Sequence, residues 1–133
     1  MTPQLEEAER LLRLARRDRA VFDAVVIASG DMHAAAGFHA QQAVEKALKG
    51  LCCALDLDFP RTHDLDALSH LLRRHGVALP ASAISLRALT PYAVDFRYDA
   101  EATQLMTEAD MARLADDVLA FAAVQIERLS RAG

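Results

Sequence analysis

Residues 32–55 read MHAAAGFHAQQAVEKALKGLCCAL, and this stretch decides the fold. At about 100° per residue, Val44, Leu48, Leu51 and Leu55 line up as one stripe. Ala36, Ala40, Ala43, Ala47, Gly50 and Ala54 flank it, and such small side chains let a neighbouring helix approach closely. Gln42, Lys46 and Lys49 fall on the opposite side. The spacing predicts a helix from about Met32 to Leu55, buried over about half its circumference, with amide and ammonium groups turned to water or to a crevice.

Upstream, Leu5, Ala8, Leu12, Ala15, Phe22 and Val26 keep near-helical spacing from Thr2 to about Ser29, with Glu6–Arg10 and Glu9–Arg13 as supporting i,i+4 pairs. Gly30 breaks that run, and Asp31 is placed to cap the next helix. Downstream, Asp56 to Thr62 reads as a loop. Thr62 or Asp64 then caps a short helix carrying Leu65, Leu68, Leu71 and Leu72. Arg73, Arg74 and His75 suit the negative end of that helix, and Gly76 suits a left-handed stop.

Pro80 opens a fourth helical stretch that Thr90-Pro91 interrupts, with Thr90 as cap and Pro91 in the first turn of a continuation through Tyr98. The last helix spans Glu108 to Arg131. Ala115, Leu119, Ala122, Ile126 and Leu129 form one of its stripes. Met111, Leu114, Val118 and Phe121 form a second, which is either core or a surface for another chain; the pattern alone does not divide the two.

A length of 133 residues fits one domain over 1–133. The composition is 53% hydrophobic but only 5% aromatic, without Trp, which favours helices packed through aliphatic side chains over a β-sandwich. No fixed-period repeat and no alternating strand interrupts this reading. The expected fold is all-α: a compact bundle of about five mostly antiparallel helices, the fourth kinked or broken near Pro91.

The net charge of −4 is far from that of a duplex-DNA reader. No run approaches the roughly 20 apolar residues that span a bilayer, and no cationic start leads into an apolar stretch with a cleavage site, so a cytoplasmic location without membrane contact is expected. Cys52 and Cys53 are successive helical positions whose side chains diverge and do not readily bridge, which fits a reducing compartment.

The five histidines, His33, His39, His63, His70 and His75, show no i,i+4 pair with an intervening Glu, and the cysteines lack finger spacing. No metal and no cofactor is expected. There is no Gly-rich phosphate loop and no nucleophile elbow. Arg10, Arg13, Arg16, Arg17 and Arg19 form a cationic run, diluted by Glu6, Glu7, Glu9 and Asp18 into what reads as a solvated helix face.

The stretch Phe38-His39-Ala40-Gln41-Gln42-Ala43-Val44-Glu45-Lys46-Ala47-Leu48-Lys49-Gly50-Leu51 resembles the second helix of the HEPN family, whose members often carry Gln-Ala-x-Glu-Lys-x-Leu-Lys. Thr62-His63-Asp64-Leu65 looks like that family's entry to helix three, and Phe96-Arg97-Tyr98 like its Arg-Tyr element near the end of helix four. The three blocks occur in the family's order and together cover most of the chain.

The resemblance implies a helical bundle that commonly forms a homodimer. It also implies a minimal nucleotidyltransferase as partner, in a toxin–antitoxin-like or nucleotide-binding system, with a nucleotide or RNA as ligand. Ribonuclease members of the family carry an Arg followed, after four to six residues, by a His. None of the five histidines here has an Arg at that distance, and Arg97 is followed by Tyr98, Asp99, Ala100, Glu101, Ala102, Thr103 and Gln104.

The expected role is therefore a non-catalytic or weakly catalytic module. It would bind a nucleotide, or a nucleotidyltransferase partner, through a polar crevice of Gln42, Lys46, Lys49, His63, Arg97 and Tyr98. There Lys and Arg neutralise phosphate and Tyr98 stacks a base. One competing reading is a metal-independent ribonuclease toxin using His63 and Arg97, and another is a structural adaptor acting through helix pairing. The purely structural account has Thr62 or Asp64 as caps, His63 bonded to a neighbouring helix, and Arg97 paired with Glu45 or Asp64.

Overall fold

Thr2 sets the first helix: its Oγ1 accepts from the Leu5 amide at 3.1 Å, and Pro3 stands in the first turn, where a missing N–H costs nothing. Helix α1 runs Pro3–Ile27, α2 His33–Ala54, α3 Leu65–Arg74, α4 Ala83–Leu89 and α5 Glu108–Ala132, with a 3-10 turn at Thr90–Ala93. The computed structural model describes residues 1–28, 32–93 and 106–132, and these contain five α-helices and no strand. Ser29, Gly30 and Asp31, and the expected continuation past Ala93 to Tyr98, lie outside the described residues.

Cross-helix contacts give the topology. Asp18 meets His39, and a Cβ on Gly50 would lie 3.3 Å from the Ala8 carbonyl, so α1 and α2 are antiparallel. Glu9 meets Ser130 and Arg19 meets Asp116, so α1 and α5 are antiparallel as well. It follows that α2 and α5 run parallel, as the 3.7 Å approach of His33 to Glu108 at their N-terminal ends also shows. α3, α4 and the 3-10 turn make this parallel return possible by occupying the connection between them.

The α2 stripe is the centre of the core: Val44, Leu48 and Leu51 are fully buried, as are Ala36, Ala40, Ala43 and Ala47. Leu55, just past the helix, is half-buried. More of α2 is covered than the stripe alone requires, because α1, α3, α5 and the 3-10 turn all pack against it and bury Gln41 and Glu45 too.

Both stripes of α5 are internal, with Met111, Val118, Ala115 and Ala122 fully buried. Only Phe121 and Leu129, toward the C-terminal end, are half-buried. In α1, Phe22 is the last core residue; Val26, expected on the same stripe, lies in the final turn and is exposed. The expected α1 pairs are also rearranged. Arg10 forks onto Glu7 at 2.5 and 3.2 Å rather than reaching Glu6, and Glu9 turns to α5 rather than to Arg13.

Asp64 caps α3, its Oδ1 accepting from the Asp66 and Ala67 amides, while Thr62 Oγ1 accepts from the Asp64 amide. Gly76 ends the segment at φ 85°, a backbone setting that glycine adopts without a Cβ clash. α4 begins at Ala83 instead of Pro80, because the Ser82 hydroxyl is the group that accepts from the Ser85 amide. Thr90 does not take the extended conformation of an N-cap, having φ −51° and ψ −44°. Its hydroxyl donates to the Leu86 carbonyl at 2.9 Å and accepts from the Leu65 amide at 3.1 Å, joining the end of α4 to the start of α3.

Candidate functional site

Gln41, Glu45 and Lys49 stand at i, i+4 and i+8 on α2, between its core stripe and its outer face, and share one hydrogen-bonded network. Gln41 Nε2 donates to Glu45 Oε1 at 3.1 Å and to the His63 carbonyl at 3.0 Å. Lys49 Nζ donates to Glu45 Oε2 at 3.0 Å, and His63 Nδ1 lies 2.8 Å from Glu45 Oε1. Gln42 joins by donating to Gln41 Oε1 at 2.8 Å. The Lys49 ammonium also stands 5.9 Å from the centre of the Phe59 ring, in the loop before α3.

Glu45 is only 5% exposed. Burial alone would raise its pKa, but the hydrogen bonds from Gln41, His63 and Lys49, with the Lys49 charge, outweigh that and hold the carboxyl below its ordinary value. The network thereby ties residues 59–63 to the middle of α2 and orients the exposed His63 ring.

One turn round α2, Asp18 of α1 divides its carboxylate between two partners. Oδ1 lies 3.0 Å from His39 Nδ1, and Oδ2 accepts from the Lys46 ammonium. Lys46 and Lys49 are thus each matched by a carboxylate, and the formal charges of Asp18 with Lys46 and of Glu45 with Lys49 cancel. What α2 shows to solvent is a fixed, nearly neutral row of donors and acceptors. His39, Gln42, Lys46 and Lys49 lie along it, and His63 stands at its edge.

Of the residues expected in the crevice, the structure brings Gln42, Lys49 and His63 into one network and places Lys46 in the neighbouring Asp18 cluster. Arg97 and Tyr98 lie outside the described residues. Gln41, Glu45, Asp18 and His39 organise the row, and none of them is among the residues expected in the crevice. The signal for the first two was their i,i+4 spacing with Lys49, which marks a polar seam inside an otherwise apolar flank. No group of three or more His, Cys, Asp or Glu side chains among the described residues comes together to hold a metal ion.

The model of the HEPN domain matches residues 5–129, nearly the whole chain. The chain belongs to the HEPN family. Comparison with curated proteins and with solved structures gave no match. Within this HEPN domain the family's Gln-Ala-x-Glu-Lys-x-Leu-Lys segment is residues 42–49, and its Glu45 is the acceptor for His63 of the Thr-His-Asp-Leu block. Two blocks far apart in sequence are thus one hydrogen-bonded unit. No helix among the described residues of this HEPN domain is long and apolar enough to cross a membrane.

Proposed function

We propose that this HEPN domain is a non-catalytic partner module, docking a minimal nucleotidyltransferase through the polar row of α2 formed by Gln42, Lys46 and Lys49 with His63. One observation carries the reading: the cations of the row are already matched by Asp18 and Glu45. A phosphate would have to compete with both carboxylates for the ammonium groups, whereas a protein surface can use the remaining donors and acceptors as they stand. Family membership supports it further, since HEPN domains commonly pair with nucleotidyltransferases or with a second copy of themselves. The absence of an Arg-x4-6-His spacing from the sequence favours binding over RNA cleavage.

The test is co-expression with a minimal nucleotidyltransferase encoded beside the gene, read by light scattering on a sizing column. The parent should elute as a stoichiometric complex, and Gln42→Ala/His63→Ala, still helical by circular dichroism, should elute alone. A complex unaffected by the double variant would move the interface away from α2. Growth arrest by the chain alone, relieved by the neighbour, would replace the reading with a toxin.

A further inference from the structure

The α1–α5 seam is cross-bonded at two levels and open between them. Glu9 Oε1 accepts from Ser130 Oγ at 3.3 Å near one end, and Arg19 Nε donates to Asp116 Oδ1 at 2.8 Å near the other. Between these levels α1 presents Arg13 and Arg16, both exposed. Between those levels α5 lines the seam with Ala123 and Ile126, neither of which accepts from a guanidinium. Glu127, the nearby acid, is engaged by Arg131 at 2.7 Å.

Arg13 and Arg16 make no ion pair or hydrogen bond among the described residues, unlike Arg10 and Arg19 on the same helix. They stand over a groove of about 480 Å³ floored by Leu12, Ala123 and Ile126.

We infer that this groove docks an amphipathic helix of a protein partner, with apolar side chains on the floor and carboxylates on Arg13 and Arg16. The groove is the seam of two antiparallel helices, and its lining residues recur along each at helical spacing, which suits a third helix laid along it. The guanidinium fork pairs bidentately with discrete carboxylates. The rim also carries Glu9, and Glu127 paired with Arg131, so the free cations are two discrete positions one turn apart, which fit side-chain acids of a helix and do not form a continuous track for a phosphate backbone. That mixed rim favours a protein over a nucleic acid. The surface is separate from the α2 row and stands whether or not α2 binds a nucleotidyltransferase.

The test is fluorescence anisotropy with a labelled helical peptide carrying a leucine stripe flanked by glutamates, and with its counterpart in which lysines replace the glutamates. The glutamate peptide should bind at least tenfold tighter than the lysine peptide. Arg13→Gln/Arg16→Gln should lose at least tenfold, while Arg74→Gln/Arg128→Gln, which removes the same charge elsewhere, should stay within twofold. Circular dichroism of both double variants reports folding. No binding of the glutamate peptide at high micromolar concentration would overturn the inference, as would equal loss in both double variants. A single-stranded RNA oligonucleotide that binds the parent more tightly than the peptide, and is lost in Arg13→Gln/Arg16→Gln, would replace the helix with a phosphate ligand.

Discussion

Glu45, on the central helix, holds His63, at the entry to α3, through a 2.8 Å contact between Oε1 and Nδ1. The same carboxylate, itself only 5% exposed, accepts from Gln41 and Lys49, so removing it leaves the largely buried Lys49 ammonium without its counter-charge, while Gln41 keeps the His63 carbonyl and the exposed His63 ring turns to water. Glu45→Ala should destabilise the fold by about 3 kcal/mol, the size expected when one member of a buried charged network is deleted. Urea unfolding followed by circular dichroism measures it, and a loss under about 1 kcal/mol would mean the network is not fixed in solution.

The pH dependence of that contribution has a definite sign. The Glu45 carboxyl is held below its ordinary value of 4.5 in the folded chain, so between the two values the unfolded chain binds the proton and the folded chain does not. Stability from Glu45 is therefore complete above pH 4.5 and lost as pH falls through the lowered folded value. The stability gap between the parent and Glu45→Gln should be constant near neutrality and narrow below pH 4.5. A gap that widens on acidification would reverse the assignment.

Gly37 is an obligate glycine for a packing reason. A Cβ there would lie 2.2 Å from Cδ1 of Tyr92, whose ring is 4% exposed and whose hydroxyl lies 2.9 Å from His33 Nε2. Alanine would gain about 1 kcal/mol in helix propensity, yet overpacking against a fixed ring should leave a net loss of about 2 kcal/mol. In a Tyr92→Leu background the Gly37→Ala penalty should shrink by more than half. Equal penalties in both backgrounds would show that the ring is not the obstacle.

How much of this was legible in the sequence depends on whether the deciding partner was local. Helical spacing marked Val44, Leu48 and Leu51 as core, and Asp64 and Gly76 as the bounds of α3, since a cap and a left-handed stop act on their own backbone. Thr90 departs from the N-cap expected of it because its hydroxyl serves Leu65, 25 positions away. The sequence does not divide the second stripe of α5 between core and interface for a similar reason: periodicity gives a face and not what covers it. In the candidate site, the Gln-Ala-x-Glu-Lys-x-Leu-Lys spacing puts Gln42, Lys46 and Lys49 on α2 but does not give their partners. The lysines looked free because their carboxylates, Asp18 on another helix and Glu45 one turn back, become partners only when the side chains are placed.

The thiols should be inert in the folded chain. Burial, with the neighbouring Cys53, pushes Cys52 from 9.0 up to about 12, and burial also raises Cys53. The gap between 9.0 and about 12 is about a thousandfold in thiolate population at pH 8. Iodoacetamide at that pH should leave Cys52 unmodified over hours in buffer and alkylate both cysteines within minutes in guanidinium, as read by mass spectrometry. Rapid labelling of Cys52 in buffer would mean that the α2 core opens locally.

Total RNA incubated with the purified chain in chelator should remain as long-lived as in buffer alone. Cleavage through the ribose 2′-hydroxyl needs a base on that oxygen, an acid on the leaving oxygen and a cation at the phosphorane. His63 has Nδ1 committed to Glu45, which leaves only Nε2 for chemistry, and the nearest described ammonium, Lys49, is committed to the same carboxylate. One free imidazole nitrogen beside a neutralised lysine meets at most one of the three requirements. RNA loss that disappears in both His63→Ala and Arg97→Ala would instead require Arg97 to supply the missing cation, and would replace the proposed partner role with ribonuclease activity.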